Sequence, residues 1–174
     1  AEPNKDILEL VSPAARASFF EQLLGWPELD HGVARVESEL IDSLNILQAT
    51  HLAMSQALSR LRRRPEHVLI DGWPVACLDL PQTALVRGDA RSYSIAAASV
   101  LAKVTRDRIM LEYDRLYPAY GFARHKGYPT PEHVAALNRH GPCPIHRRSF
   151  EPVRAILENL FARKPADQTP SAPI

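Results

Sequence analysis

Apolar residues recur along this chain in two rhythms, one helical and one of short continuous runs. Behind Ser12-Pro13, a capping hydroxyl followed by a proline suited to a first helical turn, Ala17, Phe20, Leu23 and Leu24 draw an apolar stripe. Gly25-Trp26-Pro27 ends it. Gly32 to Val36 alternates enough to predict a short strand. Leu44, Leu47, Met54, Ala57, Leu58 and Leu61 fall near a 3.6-residue period and predict a helix over residues 43–61. Arg62-Arg63-Arg64 then offers cations to its last carbonyls. Val68-Leu69-Ile70, stopped by Asp71-Gly72, predicts a buried strand, and Thr83 to Val86, closed by Gly88-Asp89, predicts a second. The helical period returns from Ser94 to about Tyr113, through Ile95, Ala98, Ala102, Ile109 and Met110, and stops before Pro118. Thr130-Pro131 opens another helix, which Gly141 closes. Pro152 sits in the first turn of a last one carrying Val153, Ile156, Leu157 and Leu160. Strands and helices alternate, so the expected class is α/β.

Length and composition narrow this further. At 174 residues and 45% apolar content, one domain over residues 1–163 is expected, followed by a disordered Pro-rich tail over 164–174 with Pro165, Pro170 and Pro173. No apolar run approaches the ~20 residues of a membrane span. Two cysteines, Cys77 and Cys143, make no disulfide framework, which points to a reducing cytoplasm. The net charge is only +1, which argues against a polybasic or acidic tail as the main device. That average hides an asymmetry. Residues 1–60 carry nine acids and four bases, whereas residues 61–174 carry 17 bases and 11 acids. A basic C-terminal two-thirds suits a polyanionic partner, although solvated faces give the same pattern. No Gly-rich phosphate loop, serine nucleophile elbow or dinucleotide fingerprint occurs.

The chemistry gathers at a repeated punctuation. Ile70-Asp71-Gly72 and Arg87-Gly88-Asp89 each place a carboxylate where an apolar strand leaves the sheet. In open α/β sheets that edge is where ligands bind. A carboxylate held there loses hydration and is suited to a divalent cation. Asp-Gly pairs also make ordinary turns, and the pattern alone leaves both readings open.

Longer stretches add to it. Ile41-Asp42-Ser43-Leu44-Asn45-Ile46-Leu47-Gln48-Ala49-Thr50, Val68 to Gly72, Gly88-Asp89, Ile95 to Asp107, Tyr120 to Tyr128 and His146-Arg147-Arg148-Ser149-Phe150 follow one another in order. In these stretches, over roughly residues 33–160, the chain closely resembles ribonuclease HII. That enzyme nicks RNA–DNA hybrids and duplexes carrying embedded ribonucleotides. The resemblance implies a ribonuclease H-like fold, with a mixed β-sheet flanked by helices and further helices at the C-terminal end. It also implies two-metal hydrolysis, with two Mn²⁺ or Mg²⁺ ions about 4 Å apart held by four carboxylates. Asp71 and Asp89 match the third and fourth of these, as metal ligands and catalytic residues. The first two belong to an Asp-Glu-x-Gly-Arg-Gly strand, a motif not found in these 174 residues. The expectation is therefore a family member without its first hairpin, whose two aspartates return a charge of −2 against the +4 of two ions. Asp6 and Glu9 lie near an apolar stretch but have no glycine-rich signature, and they are assigned no role.

The resemblance further assigns Tyr128 to the ribonucleotide–DNA junction, where a phenol can stack on a sugar and hydrogen-bond a 2′-hydroxyl. Lys103, Lys126, Arg147 and Arg148 are candidate phosphate contacts, and Asn45 a candidate backbone contact. Asp107 follows Arg106 directly on a helix and is expected to be structural. His140, Cys143 and His146 have a spacing that could suggest zinc, but Pro142 and Pro144 flank the cysteine and no second pair exists. The expected partner is an RNA–DNA hybrid or ribonucleotide-containing duplex DNA, with no membrane, bound by a monomer. The competing class is a catalytically silent module that binds hybrid or duplex without cutting.

Overall fold

The structure, a computed structural model, describes residues 11–162. The expected tail, Asp6 and Glu9 lie outside them. Helix α1, Pro13–Leu24, starts where its cap predicts: the Ser12 hydroxyl accepts from the Ala15 N–H at 3.2 Å. The strand expected at Gly32–Val36 does not form. Residues 31–37 have no regular structure. The Val33 carbonyl is taken by the Arg60 side chain, and Val33 packs on Phe20, Val100, Leu101 and Val104. A short alternation without a neighbouring strand has no ladder to join.

The single helix expected over 43–61 is two, α2 at Ser38–Leu44 and α3 at Ile46–Ser59. Asn45 separates them with φ 78°, and its side chain accepts from the Gln48 N–H at 3.1 Å. Asparagine tolerates that left-handed turn and caps the next helix from it. The three arginines after α3 also depart from expectation. Asp30 accepts from the Arg62 and Arg63 backbone and from the Arg62 side chain, while Arg64 donates to the Asp79 carbonyl.

Strands β1 (Val68–Asp71) and β2 (Gln82–Leu85) pair in parallel, from Val68 opposite Gln82 to Asp71 opposite Leu85. They are the only sheet among the described residues, narrower than the mixed sheet expected. The connection between them contains no helix. It is anchored by buried Val75 and Leu78, and the Gln82 carboxamide bonds both the N–H and the C=O of Val75. A 3-10 turn at Gly88–Ala90 leads into α4, Tyr93–Leu116, whose N-cap is Ser92. Short α5 (Phe122–His125), α6 (Pro131–His140) and α7 (Glu151–Ala162) complete the α/β chain. No helix among the described residues is long and apolar enough to cross a membrane.

The apolar interior falls into three groups. Met54 and Leu58 of α3 cover Ile70, Val75 and Leu78 beside the sheet. Phe20 of α1 packs on Val100, Leu101 and Val104 of α4. Met110, Tyr120, Phe122, Leu137 and Val153 join α4 to α5, α6 and α7. Helix α4 thus runs from the sheet rim to the C-terminal helices.

Candidate nuclease site

Because β1 and β2 are parallel, both C-terminal ends open at one rim. Asp71 is the exposed last residue of β1. Asp89 follows β2 in the 3-10 turn and is 7% exposed. Between them, Arg87 turns the chain at φ 54°, and the Gly88 N–H donates to Asp71 Oδ1 at 2.8 Å. Asp89 Oδ1 accepts from the Ala90 N–H at 2.9 Å. The space is tight. A Cβ on Gly88 would lie 2.5 Å from Ile95 Cδ1 and 3.3 Å from Asp71 Oδ1. Asp71 and Asp89, 18 positions apart in sequence, are therefore brought to one rim with Gly88 between them.

These side chains fit a hard divalent cation. Each carboxylate has an oxygen oriented by a backbone N–H, Asp71 by Gly88 and Asp89 by Ala90. Magnesium-type ions are commonly held by one or two carboxylates, with water and substrate phosphate completing the shell. Among the described residues no group of three or more His, Cys, Asp or Glu side chains is placed to hold an ion.

A second feature lies along α4. Lys126 (φ 50°) and Gly127 (φ 81°) turn the chain after α5 so that Tyr128 emerges 55% exposed. Lys103 Nζ lies 5.7 Å from the centre of its ring and Arg106 Cζ 5.2 Å. An exposed aromatic flanked by two cations suits a sugar or base with its phosphates. Arg106 was not among the expected contacts; its position three residues after Lys103 on one helix was the available signal. Lys103 also pairs with Asp107 at 2.9 Å, which gives Asp107 a structural partner.

The other candidates have different surroundings. Lys126 Nζ donates to the Ala123 carbonyl at 2.6 Å, closing α5. Asn45 caps α3. Arg147 stacks on Phe150, and the backbone N–H groups of Arg148 and Ser149 donate to Asp42 of α2. Burial would raise the Asp42 carboxyl, but the Ser149 hydroxyl and these N–H groups outweigh it and hold the pKa below 3.8.

Behind Tyr128 lie three imidazoles that the sequence pattern did not single out as a group. His133 Nδ1 bonds the Tyr128 carbonyl at 3.0 Å, and its Nε2 meets His146 Nε2 at 3.0 Å. His146 Nδ1 accepts from the Cys143 N–H at 3.0 Å. His125 stacks on His133 with ring centres 4.3 Å apart. Burial and the neighbouring His133 push the His146 pKa down to about 4, and burial lowers His133 in the same direction. Burial raises the Cys143 thiol.

A family model for ribonuclease HII matches residues 25–153, a span that holds both aspartates, Tyr128 and the imidazoles. The chain belongs to the ribonuclease HII family. It is 50% identical over 156 residues to a ribonuclease HII of Geobacillus kaustophilus, covering 90% of this chain and 59% of the relative. Over 125 residues it is 58% identical to a ribonuclease HII of an Anaeromyxobacter species, covering 72% of this chain and 40% of that one. The crystal structure of the ribonuclease H2 from Pyrococcus horikoshii superposes with a TM-score of 0.71 at 26% identity, covering 90% of this chain and 81% of that one. The chain thus has the ribonuclease H2 fold, and spans about half the length of these two ribonuclease HII relatives.

Proposed function

We propose that this ribonuclease HII chain serves a divalent-metal-dependent endonuclease. Its substrates would be the RNA strand of RNA–DNA hybrids and duplex DNA with embedded ribonucleotides, nicked on their 5′ side. The observation that carries the reading is the Gly88 N–H, next to Asp89 in the chain, donating to Asp71 Oδ1 at the rim where both parallel strands end. Asp71 and Asp89 would hold Mn²⁺ or Mg²⁺. When bound, such ions supply an activated water and offset charge on the departing 3′ oxygen. Asp71 is exposed with Oδ1 held by the Gly88 N–H, whereas buried Asp89 is set by its turn. Tyr128 would meet the sugar at the ribonucleotide, with Lys103 and Arg106 on the flanking phosphates.

Two aspartates balance only half the charge of two divalent ions. These 174 residues alone should therefore bind metal weakly and cut slowly. The test is nicking of a DNA duplex containing one ribonucleotide, titrated with Mn²⁺ or Mg²⁺. Metal-dependent 5′ nicking that Asp71→Asn and Asp89→Asn each abolish supports the reading. Nicking that survives both substitutions refutes it. The two-carboxylate complement also favours a second reading, a module that binds without cutting; it predicts metal-independent binding and no product at any metal concentration.

A further inference from the structure

The backbone of Tyr128 is tied down on every side while its ring stands in solvent. Its N–H donates to the His125 carbonyl at 2.8 Å, and its carbonyl accepts from the Thr130 N–H at 2.8 Å and from His133 Nδ1 at 3.0 Å. The proton positions in the imidazoles behind it follow from chemistry. The Tyr128 carbonyl can only accept, which puts the neutral His133 proton on Nδ1 and leaves His146 Nδ1 to accept from the Cys143 N–H at 3.0 Å rather than donate to the Cys143 carbonyl at 3.3 Å. His146 Nε2–H must then donate to His133 Nε2. His133 in turn carries its proton on Nδ1 and donates it to the Tyr128 carbonyl. His125 is fixed the same way: Nδ1 accepts from the Gly127 N–H at 3.2 Å and Nε2–H donates to the Tyr120 carbonyl at 2.8 Å.

We infer that His133 and His146 are positioning residues for ribonucleotide recognition, a directional two-imidazole relay that fixes Tyr128 from the Cys143 loop. The inference rests on the reading of Tyr128 given above. The relay runs from the loop after α6 to the loop before it, so it ties Tyr128 to a segment that also carries Arg147 and Arg148. Apolar side chains could fill this space without burying polar nitrogens. Only a ring with one donor and one acceptor passes a hydrogen bond through. The left-handed turns at Lys126 and Gly127 give the loop a conformation that needs such an anchor.

The test uses the full chain and two probes, a DNA duplex with one embedded ribonucleotide and the same duplex in all-DNA form. Fluorescence anisotropy gives the preference between them, and amide hydrogen exchange reports on Gly127, Tyr128 and Thr130. Wild type prefers the ribonucleotide duplex, and Tyr128→Ala loses that preference. His133→Ala lowers it by roughly fivefold, the equivalent of about 1 kcal/mol for one hydrogen bond, and speeds exchange at Gly127, Tyr128 and Thr130. His133→Asn, whose amide can donate from the Nδ1 position, restores most of both. If His133→Ala does not fold, His146→Ala against His146→Gln carries the same comparison, because glutamine keeps a donor at the Nε2 position. Wild-type preference and exchange in His133→Ala overturn the relay and leave the Tyr128 reading intact. So does equal loss in His133→Ala and His133→Asn, since packing alone would produce it. A wild type without preference, or a Tyr128→Ala chain that keeps it, overturns the Tyr128 reading and the recognition role with it.

Discussion

Gly88→Ala is the smallest change that tests the geometry of the carboxylate rim. The added methyl would sit 2.5 Å from Ile95 Cδ1, where carbon pairs prefer about 3.5–4.0 Å. Something must therefore move by about 1 Å. Ile95 is buried in the first turn of α4, so its side chain has little room to yield. On the other side the methyl meets Asp71 Oδ1 at 3.3 Å and Asp71 Cα at 3.4 Å, which pushes on the carboxylate itself. Overpacking of this kind costs about 1–3 kcal/mol. For a chain of this size that is a fall in Tm of roughly 3–10 °C. Calorimetry gives the stability, and titration with Mn²⁺ should show weaker binding as Asp71 is displaced. The companion variant is Ile95→Val, which deletes the Cδ1 carbon and alone costs about 0.5–1.5 kcal/mol. The double variant should be more stable than the two single effects predict, by about 1 kcal/mol or more. Additivity to within about 0.5 kcal/mol would refute the reasoning, because it would mean that the two groups do not meet.

Two further outcomes follow from the same contacts. Asp42→Ala removes the acceptor for Arg148, Ser149 and the Ser149 hydroxyl, and should cost about 1 kcal/mol in denaturant unfolding, with Asp42→Asn milder. Acid should destabilise the fold in two stages. His133 and His146 are lowered below 6.5 in the fold, so the unfolded chain binds more protons between pH 6.5 and about 4, and stability falls as pH drops through that window. For His146 alone the loss is about 3 kcal/mol, with His125, Cys143 and Tyr120 the other titratable groups facing it. His146→Gln should flatten that stage in pH-dependent melts. Asp42 is lowered below 3.8, so its contribution is complete above that value and disappears only at lower pH.

The helices with a capping hydroxyl and a first-turn proline were legible because those signals are local: Ser12-Pro13 and Thr130-Pro131 both start where expected. The strand ends were legible for a similar reason, since an apolar run followed by Asp and Gly marks its own exit. What failed depends on partners distant in sequence. Gly32–Val36 alternates like a strand but meets Arg60 instead of another strand. Asn45 was read for its hydrogen-bonding groups, while its decisive property is tolerance of a positive φ. Arg62 to Arg64 follow a helix end, yet Asp30 and the Asp79 carbonyl compete better for them. The imidazole relay was hidden because His125, His133 and His146 are spread over 22 positions and become a unit only when α6 folds back.

The parallel pair carries a consequence for how this chain reaches its native state. Parallel strands are usually joined by a crossover of a dozen or more residues, often a helix. Here the strands are joined by residues 72–81 alone, and the Gln82 carboxamide clasps that segment at Val75. Closing so short a loop loses little chain entropy, and contacts of low sequence separation form fast. The β1–β2 unit is thus suited to nucleate folding. Asp71 would then take its place early, with Asp89 following once Ile95 docks.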